Sequence, residues 1–184
     1  MAKLGIYGGT FDPIHRGHLH VIEQVLKRNI VDRIMIIPAG QPRLRNSEPQ
    51  ATGEQRREMC LAALKDLPQE IASHVEVNPI EILRTGPSYS VDTVEAIKQT
   101  YPDDDLIFLL GTDAFEKMSQ WHRVKDLSDL VTFVVIDRPD FPGRPNLDIE
   151  ALNISATSVR SGDFSALSPS VSAYIKEHNL YASK

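Results

Sequence analysis

Short apolar runs alternate along the chain with segments in which apolar residues recur at helical spacing. The runs lie at residues 4–7, 34–37, 74–77, 106–110 and 131–136. Their length and their content of Ile, Val and Leu are typical of buried strands. Between them, patterns such as Leu19, Ile22 and Leu26 predict amphipathic helices. A second such pattern, Met59, Ala63 and Leu67, predicts a helix that reaches Leu67. Because most of these runs are continuously apolar, the alternation predicts an α/β fold, a parallel doubly wound sheet with helices on both faces.

Two capping patterns mark where helices begin. Thr52 stands three residues before Gln55, which predicts a capping box, and Ser168 precedes Pro169, a residue suited to the first turn of a helix. Ligands of open α/β sheets bind beyond the carboxyl ends of the strands. The segments that directly follow the strands are therefore where functional residues are expected.

Residues 8–18 follow the first strand and precede the first predicted helix. Gly8 and Gly9 let the backbone approach a ligand closely, and free N–H groups at a helix start attract an anion. The spacing is neither that of a Walker loop nor that of a dinucleotide-binding glycine motif. His15 and His18 share one face of the helix start, and Gly17 between them leaves room for a ligand. The segment predicts a phosphate site that two imidazoles face.

Two other interpretations of this segment stay open on the residues alone. One histidine could cap the helix while the other is a surface residue, or Asp12, His15 and His18 could ligate a metal ion such as zinc or iron. The metal interpretation gives the paired glycines no role and offers no fourth ligand. Phosphate binding is therefore favoured.

Three later segments carry candidate chemistry beside an ordinary structural interpretation. Ser155, Thr157 and Arg160 surround a predicted helix start, where they could bind phosphate oxygens or form a cap with a solvent-facing arginine. Asp113 follows the fourth strand, where a carboxylate could accept from ribose hydroxyls or serve as an N-cap. Trp121 offers an aromatic face for a pyridinium ring, although a lone tryptophan is more often part of a core.

Composition restricts the class of protein. The chain has 184 residues, with 20 Lys and Arg against 25 Asp and Glu, and its net charge of −5 argues against a broad nucleic-acid-binding surface. The one cysteine, Cys60, predicts a reducing compartment, and the N-terminus lacks a signal-peptide pattern. No apolar run approaches the ~20 residues of a membrane helix. We expect a single cytoplasmic domain over residues 1–184, with a small helical part from about residue 155 and with neither nucleic acid nor membrane as a partner.

The segment at residues 8–18 resembles the motif of the nucleotidylyltransferases, specifically that of the bacterial nicotinate-nucleotide adenylyltransferases. The matching residues are Gly8, Gly9, Thr10, Phe11, Asp12, Pro13, His15, Gly17 and His18. Four further segments match the family in order, at residues 37–42, 86–93, 110–113 followed by Trp121, and 154–160. The resemblance spans nearly the whole chain and implies a Rossmann-like doubly wound parallel sheet of about five or six strands.

The resemblance also implies roles for individual residues. His15, His18 and Arg160 are implied as catalytic, and Thr85 and Trp121 are placed near the nicotinate group. The ATP-binding residues that it implies are Gly8, Gly9, Thr10, Phe11, Gly17, Gly111, Asp113, Ser155 and Thr157. Arg45 stands nearest to a position where related enzymes usually carry a lysine for the mononucleotide, and arginine does not reproduce the geometry of lysine.

The expected reaction is transfer of the adenylyl group of ATP to nicotinate mononucleotide, which forms deamido-NAD and pyrophosphate in NAD biosynthesis. Mg²⁺ is expected to arrive with ATP, bound mainly to phosphates and water, and no residue is assigned to it as a ligand. Phosphopantetheine as the acceptor, or a nucleotide-sensing module without turnover, are the alternatives. The sequence leaves open the preference between nicotinate and nicotinamide mononucleotide, the oligomeric state, with a homo-oligomer as one option, and whether loops 38–50 and 137–146 close over substrate.

Overall fold

The sheet has five parallel strands, as the apolar runs predict. The computed structural model describes residues 1–42, 47–139, 141 and 143–181. The strands are β1 (Lys3–Gly9), β2 (Arg33–Pro38), β3 (Val75–Val77), β4 (Asp105–Gly111) and β5 (Thr132–Ile136). Their order is β3-β2-β1-β4-β5, with every neighbouring pair parallel. The chain thus winds outward in both directions from β1, and the crevice for a ligand opens between the carboxyl ends of β1 and β4.

Helices connect the strands and continue after β5. Within the described residues they are α1 (Arg16–Lys27), α2 (Gly53–Leu64), α3 (Gln69–Ala72), α4 (Ile80–Leu83), α5 (Ser90–Thr100), α6 (Thr112–Phe115), α7 (Val124–Leu130), α8 (Ala156–Arg160) and α9 (Pro169–Glu177), with 3₁₀ turns at Met118–Gln120 and Phe164–Ala166. No helix in the described part of the chain is both long enough and apolar enough to cross a membrane.

Two buried apolar clusters cover the two faces of the sheet. Along β1, Ile6 points into one cluster and Tyr7 into the other, because successive side chains of a strand alternate between faces. The Tyr7 face is covered by α1, α2 and α9, and the Ile6 face by α5 and α7. The prediction of helices on both faces is confirmed, which explains why the central strands β1, β2 and β4 are mostly apolar.

The predicted helix starts are confirmed, and one helix end differs from the prediction. Thr52 caps α2: its hydroxyl accepts from the Gln55 N–H, and the Gln55 side chain accepts from the Thr52 N–H. The apolar pattern extends this helix to Leu67, but α2 ends at Leu64 and α3 begins just after Pro68. Proline fixes its own backbone and favours the start of a new helix over continuation of the old one.

The helical segment after β5 packs against the rest of the fold. Val171 and Ile175 of α9 are buried in the same cluster as the core residues of α1 and α2. At the start of α9, Asp66 accepts hydrogen bonds from the N–H and the hydroxyl of Ser170, at 2.8 and 2.7 Å. These contacts tie the last helix to the connection that leaves α2.

Candidate active site

The connection from β1 to α1 forms one wall of a cavity at the carboxyl edge of the sheet. The cavity has a volume of about 790 Å³, within the range of small-molecule sites. Gly8, Gly9, Thr10 and Phe11 all line it. Phe11 has a positive φ of 50°, a backbone state that is rare for an aromatic residue and typical of functional turns.

His15 and His18 form a stacked pair at the start of α1. Their ring centroids lie 3.8 Å apart, and both rings line the cavity. His15 is the N-cap of α1, and its backbone N–H donates to Nδ1 of His18 at 3.1 Å. Because Nδ1 of His18 is an acceptor, its neutral ring carries the proton on Nε2. His18 therefore offers an N–H donor at its other ring nitrogen.

Burial keeps both imidazoles uncharged in the protein alone. It lowers the pKa of His15 to about 3, with the positive charge of Arg138 as the second cause. Burial likewise lowers the pKa of His18 well below its ordinary value, and the nearby His15 and Arg138 add to the effect. An anion bound beside these rings would raise both pKa values, since a negative charge favours the imidazolium form.

The space around His15 depends on a glycine. A Cβ atom at Gly17 would lie 3.0 Å from Nδ1 of His15, so any side chain at this position would press on the ring. Nδ1 of His15 is buried and makes no hydrogen bond within the described part of the chain. Buried polar atoms without a partner are rare in native structures, and a site that binds a ligand is one reason for them.

The start of α8 adjoins the same turn from the C-terminal part of the chain. Ser155 caps α8, and its hydroxyl accepts from the Ser158 N–H. Arg160 donates from Nη1 to the Asp12 carbonyl oxygen at 2.6 Å and from Nη2 to the Thr157 hydroxyl at 3.1 Å. Ser155 and Thr157 line the cavity. Two motifs 148 positions apart in the sequence thus meet at one hydrogen bond.

The end of β4 supplies a second, mixed-charge wall. A Cβ atom at Gly111 would lie 2.5 Å from Oδ1 of Asp113 and 2.7 Å from Cδ of Arg138. A side chain at position 111 would therefore have to displace one of these two neighbours. Arg138 and Asp113 both line the cavity, and Nη1 of Arg138 lies 3.7 Å from Oδ2 of Asp113. Gly111 is the N-cap of α6, so Asp113 lies within the first helical turn and is not itself the cap.

Trp121 lines the cavity directly after the first 3₁₀ turn. It is half-buried, and its ring packs edge-on against Phe108 of β4, with centroids 5.8 Å apart. The ring of the next residue, His122, packs at a tilt of 32° against that of Tyr89, with centroids 4.3 Å apart, and both of these rings also line the cavity. Trp121 thus combines core packing with an accessible surface, so the two interpretations of this tryptophan do not exclude each other.

Comparison with known proteins identifies the family. The model of the cytidylyltransferase-like family matches residues 6–162. The probable nicotinate-nucleotide adenylyltransferase of Bacillus pumilus is 36% identical, and the nicotinate-nucleotide adenylyltransferase of Bacillus subtilis is 34% identical, each over the full length of both chains. The chain belongs to the nicotinate-nucleotide adenylyltransferase family. This confirms the resemblance seen in the sequence.

A solved structure of similar fold comes from Plasmodium falciparum. It is a nicotinic acid mononucleotide adenylyltransferase complexed with NaAD, and it superposes with a TM-score of 0.84 at 22% identity over 98% of each chain. At this identity the likeness establishes the fold of the adenylyltransferase chain, and it agrees with the Rossmann-like sheet that the sequence resemblance implies.

Not every residue predicted for the adenylyltransferase site is brought into the cavity. Thr85 is exposed and lies outside the cavity lining, although Ser88, Tyr89 and Ser90, a few positions further on, belong to the lining. Arg45 lies outside the described residues. Arg160 contacts the lining through Thr157 without being part of it.

Asp12 does not face the two histidines as the metal interpretation requires. Its carboxylate accepts from the backbone N–H groups of Gln50 and Ala51 and from the Tyr181 hydroxyl. Across the described ranges, no three or more His, Cys, Asp or Glu side chains are grouped to hold a metal ion. The geometry favours a structural role for this carboxylate.

Arg138 is a residue of the cavity lining to which the sequence analysis assigns no role. The segment 137–146 is recognisable as a loop by its prolines and glycine, but no charged residue in it was singled out. The available signal was position, because Arg138 stands two residues after the end of β5, at the same edge of the sheet as the other site residues.

Proposed function

We propose that the protein transfers the adenylyl group of ATP to nicotinate mononucleotide, forming deamido-NAD and pyrophosphate, in the cytoplasmic synthesis of NAD. The observation that carries the proposal is the meeting of the two anion-binding segments. The Arg160 guanidinium reaches the Asp12 carbonyl oxygen, and this contact joins the start of α8 to the histidine turn on the border of a single cavity. Family membership supports the same reaction.

The reaction needs positioning and charge neutralisation more than a protein nucleophile. A 5′-phosphate oxygen of the mononucleotide attacks the α-phosphorus of ATP, a new P–O bond forms, and the bond to the bridging oxygen breaks with its electron pair leaving on pyrophosphate. The attacking phosphate is already ionised at neutral pH, so no base is required. The protein contributes by aligning the two phosphates and by offering donors to the oxygens on which charge develops.

In this scheme the histidine turn binds the α-phosphate. His15 and His18 each offer one ring N–H group, and Thr10 adds a hydroxyl on the same wall of the cavity. Gly8, Gly9 and Gly17 keep side chains out of this region, and Phe11 packs edge-on against His18, with ring centroids 5.0 Å apart. We assign His15 and His18 to stabilising the charge on the α-phosphoryl oxygens.

The start of α8 binds the departing end of ATP. Ser155 and Thr157 line the cavity, and two of the five N–H donors of Arg160 are used by Asp12 and Thr157 in the described structure. The remaining donors of the guanidinium are available for phosphate oxygens. We assign Arg160 to neutralising charge on the leaving pyrophosphate.

The end of β4 binds the nucleoside part of ATP. Asp113 can accept from ribose hydroxyls, and Gly111 lets the backbone come close to them. Arg138 lies 3.7 Å from Asp113 and increases the positive charge of the cavity near the histidines. We add Arg138 to the ATP-binding residues on this basis.

Mg²⁺ enters with ATP, and the donor set of the cavity fits this expectation. The described carboxylates of the lining are those of Asp12, Glu81, Asp113 and Asp137. Asp12 and Glu81 already accept hydrogen bonds from other residues, and Asp113 is assigned to the ribose. Mg²⁺ gives up its waters reluctantly and often takes most of its other ligands from substrate phosphates. When bound, the ion would reduce the negative charge of the triphosphate.

A turnover assay with three acceptors tests the proposed function. Purified protein with Mg-ATP is given nicotinate mononucleotide, nicotinamide mononucleotide or phosphopantetheine in separate reactions, with pyrophosphate release followed and products identified by mass. We expect rapid turnover with nicotinate mononucleotide. Turnover with phosphopantetheine alone, or binding of ATP without turnover on any acceptor, would overturn the proposal. The ratio between the two pyridine nucleotides measures the preference that the sequence leaves open.

Trp121→Ala should mainly weaken the binding of the acceptor. Removing the indole removes an aromatic face worth about 1–2 kcal/mol to a pyridinium ring, so KM for nicotinate mononucleotide should rise about tenfold with little change in kcat. Steady-state kinetics with each substrate varied in turn provide the measurement. Phe133→Ala is the control. Like Trp121, Phe133 packs edge-on against Phe108, but it does not line the cavity. An unchanged KM in Trp121→Ala would make this tryptophan a core residue only.

A further inference from the structure

The turn at residues 8–18, to which we assign phosphate binding, contains a buried carboxylate. Asp12 is only 2% exposed, and its Oδ1 accepts from the Tyr181 hydroxyl at 2.6 Å. The two carboxylate oxygens also accept from the N–H groups of Gln50 and Ala51, at 2.9 and 3.0 Å. Hydrogen bonds to an ionised carboxylate are roughly twice as strong as neutral ones, so this cluster holds the turn firmly.

The backbone of Asp12 also orients Arg160, which we assign to the reaction. The Asp12 carbonyl oxygen accepts from Nη1 of Arg160 at 2.6 Å. A movement of Asp12 therefore moves the carbonyl oxygen that orients the Arg160 guanidinium. A tilt of the turn would also change the direction of the neighbouring histidine pair.

Tyr181 reaches Asp12 from the C-terminal end of the described chain, 169 positions away. Its side chain is only 7% exposed and belongs to the apolar cluster that covers the α1 face of the sheet. Burial, together with the hydrogen bond to Asp12, raises the pKa of Tyr181 above its ordinary value. The hydroxyl thus remains a donor throughout the working pH range.

A second buried side chain, that of Arg56, also holds the turn. The Arg56 side chain, only 1% exposed, donates to the Thr10 carbonyl oxygen at 2.7 Å and to the Ala51 carbonyl oxygen at 3.3 Å. Because Arg56 already fixes Thr10, loss of the tyrosine hydroxyl should shift the Asp12 end of the turn without unfolding it.

We propose that Tyr181 is a positioning residue for adenylyl transfer, whose hydroxyl fixes Asp12 and through it both the histidine turn and Arg160. It has no contact with substrate in this scheme. The inference rests on the proposed function for its catalytic consequence, whereas its effect on nucleotide binding can be measured without any acceptor.

Tyr181→Phe removes the hydroxyl and keeps the buried ring. We expect the dissociation constant for Mg-ATP, measured by calorimetric titration without acceptor, to rise about fivefold to tenfold at unchanged stoichiometry. In the assay with nicotinate mononucleotide, kcat should fall about tenfold, while KM for the mononucleotide stays within about twofold. Tyr174→Phe is the matched control, because Tyr174 lies in α9 and its ring stacks on His178, away from the cavity.

Stoichiometry separates positioning from mere stability. If the hydroxyl only stabilised the fold, the remaining folded protein would bind Mg-ATP with the wild-type dissociation constant and a lower stoichiometry, which would overturn the proposal. An unchanged dissociation constant and kcat would also overturn it. If wild-type protein binds Mg-ATP but does not adenylate the mononucleotide, only the proposed function is refuted. The ratio of the Mg-ATP dissociation constants of Tyr181→Phe and wild type still tests the role of Tyr181.

A second variant covers the case in which Tyr181→Phe does not fold. Asp12→Asn keeps the shape of the side chain and can still accept from Tyr181 through its amide oxygen. Its NH₂ group then faces the N–H donor of Gln50, which weakens the attachment of the turn. The proposal expects the same rise in the Mg-ATP dissociation constant at full stoichiometry, and wild-type affinity would contradict it.

Discussion

Replacing His18 with alanine should lower kcat by about 10²- to 10³-fold, while the fold and the affinity for nicotinate mononucleotide stay near wild type. This is the size of effect seen when one preorganised donor to a developing oxyanion is removed. The ring is oriented by its Nδ1, which accepts from the His15 N–H, and in the proposed function its Nε2–H donates to a phosphate oxygen. Single-turnover and steady-state kinetics with saturating Mg-ATP provide the measurement.

The buried setting of the pair explains why the loss should appear in kcat. Both imidazoles are neutral in the protein alone, because burial and the charge of Arg138 lower their pKa values. A neutral donor gains most where negative charge increases, and that increase occurs as the α-phosphorus is attacked. In the proposed function, ground-state binding of the acceptor depends on Trp121, another residue of the cavity lining.

His74→Ala is the control for His18→Ala. The His74 side chain is exposed and lies just before β3, at the opposite edge of the sheet from the cavity. Its removal should leave kcat unchanged. If His18→Ala instead lost affinity for the mononucleotide and turned over normally at saturation, the assignment of His18 to the α-phosphate would be wrong.

Local pattern was sufficient to predict the sheet and the longer helices. The three central strands β1, β2 and β4 are buried along most of their length, so they appear as apolar runs. Helix α5 buries Val91, Val94 and Ile97 at helical spacing. The four-residue helices α3, α4 and α6 span little more than one turn, which is too short for a helical period to be visible in the sequence. They follow from tertiary packing more than from pattern.

The site was predictable where its residues follow one strand closely. The glycines and histidines of residues 8–18 form a contiguous motif, and the start of α8 has a capping pattern of its own. Arg138 becomes a site residue only because β5 pairs with β4 and brings it beside Asp113. The contact between Tyr181 and Asp12 spans 169 positions, so no local signal could reveal it.

Replacing Arg160 with glutamine should lower kcat/KM for ATP by about 10²- to 10³-fold, the range expected when a guanidinium that stabilises phosphoryl-transfer charge is lost. The cap of α8 is made by Ser155 and does not involve Arg160, so it should survive the change. Thermal unfolding should therefore change little. Arg57→Gln is the control, because Arg57 pairs with Glu54 and Glu58 on the surface of α2, where ion pairs contribute little.

Arg160→Lys separates charge from geometry at this position. An ammonium group restores the charge but cannot reproduce the planar fork that donates at once to the Asp12 carbonyl oxygen and the Thr157 hydroxyl. We therefore expect lysine to recover only part of the lost kcat/KM, with the larger share of the deficit in kcat. Full recovery would mean that charge alone matters and that the contact with Asp12 is incidental. Wild-type kinetics in Arg160→Gln would instead reduce the start of α8 to an ordinary capped helix and leave the histidine turn as the sole phosphate site.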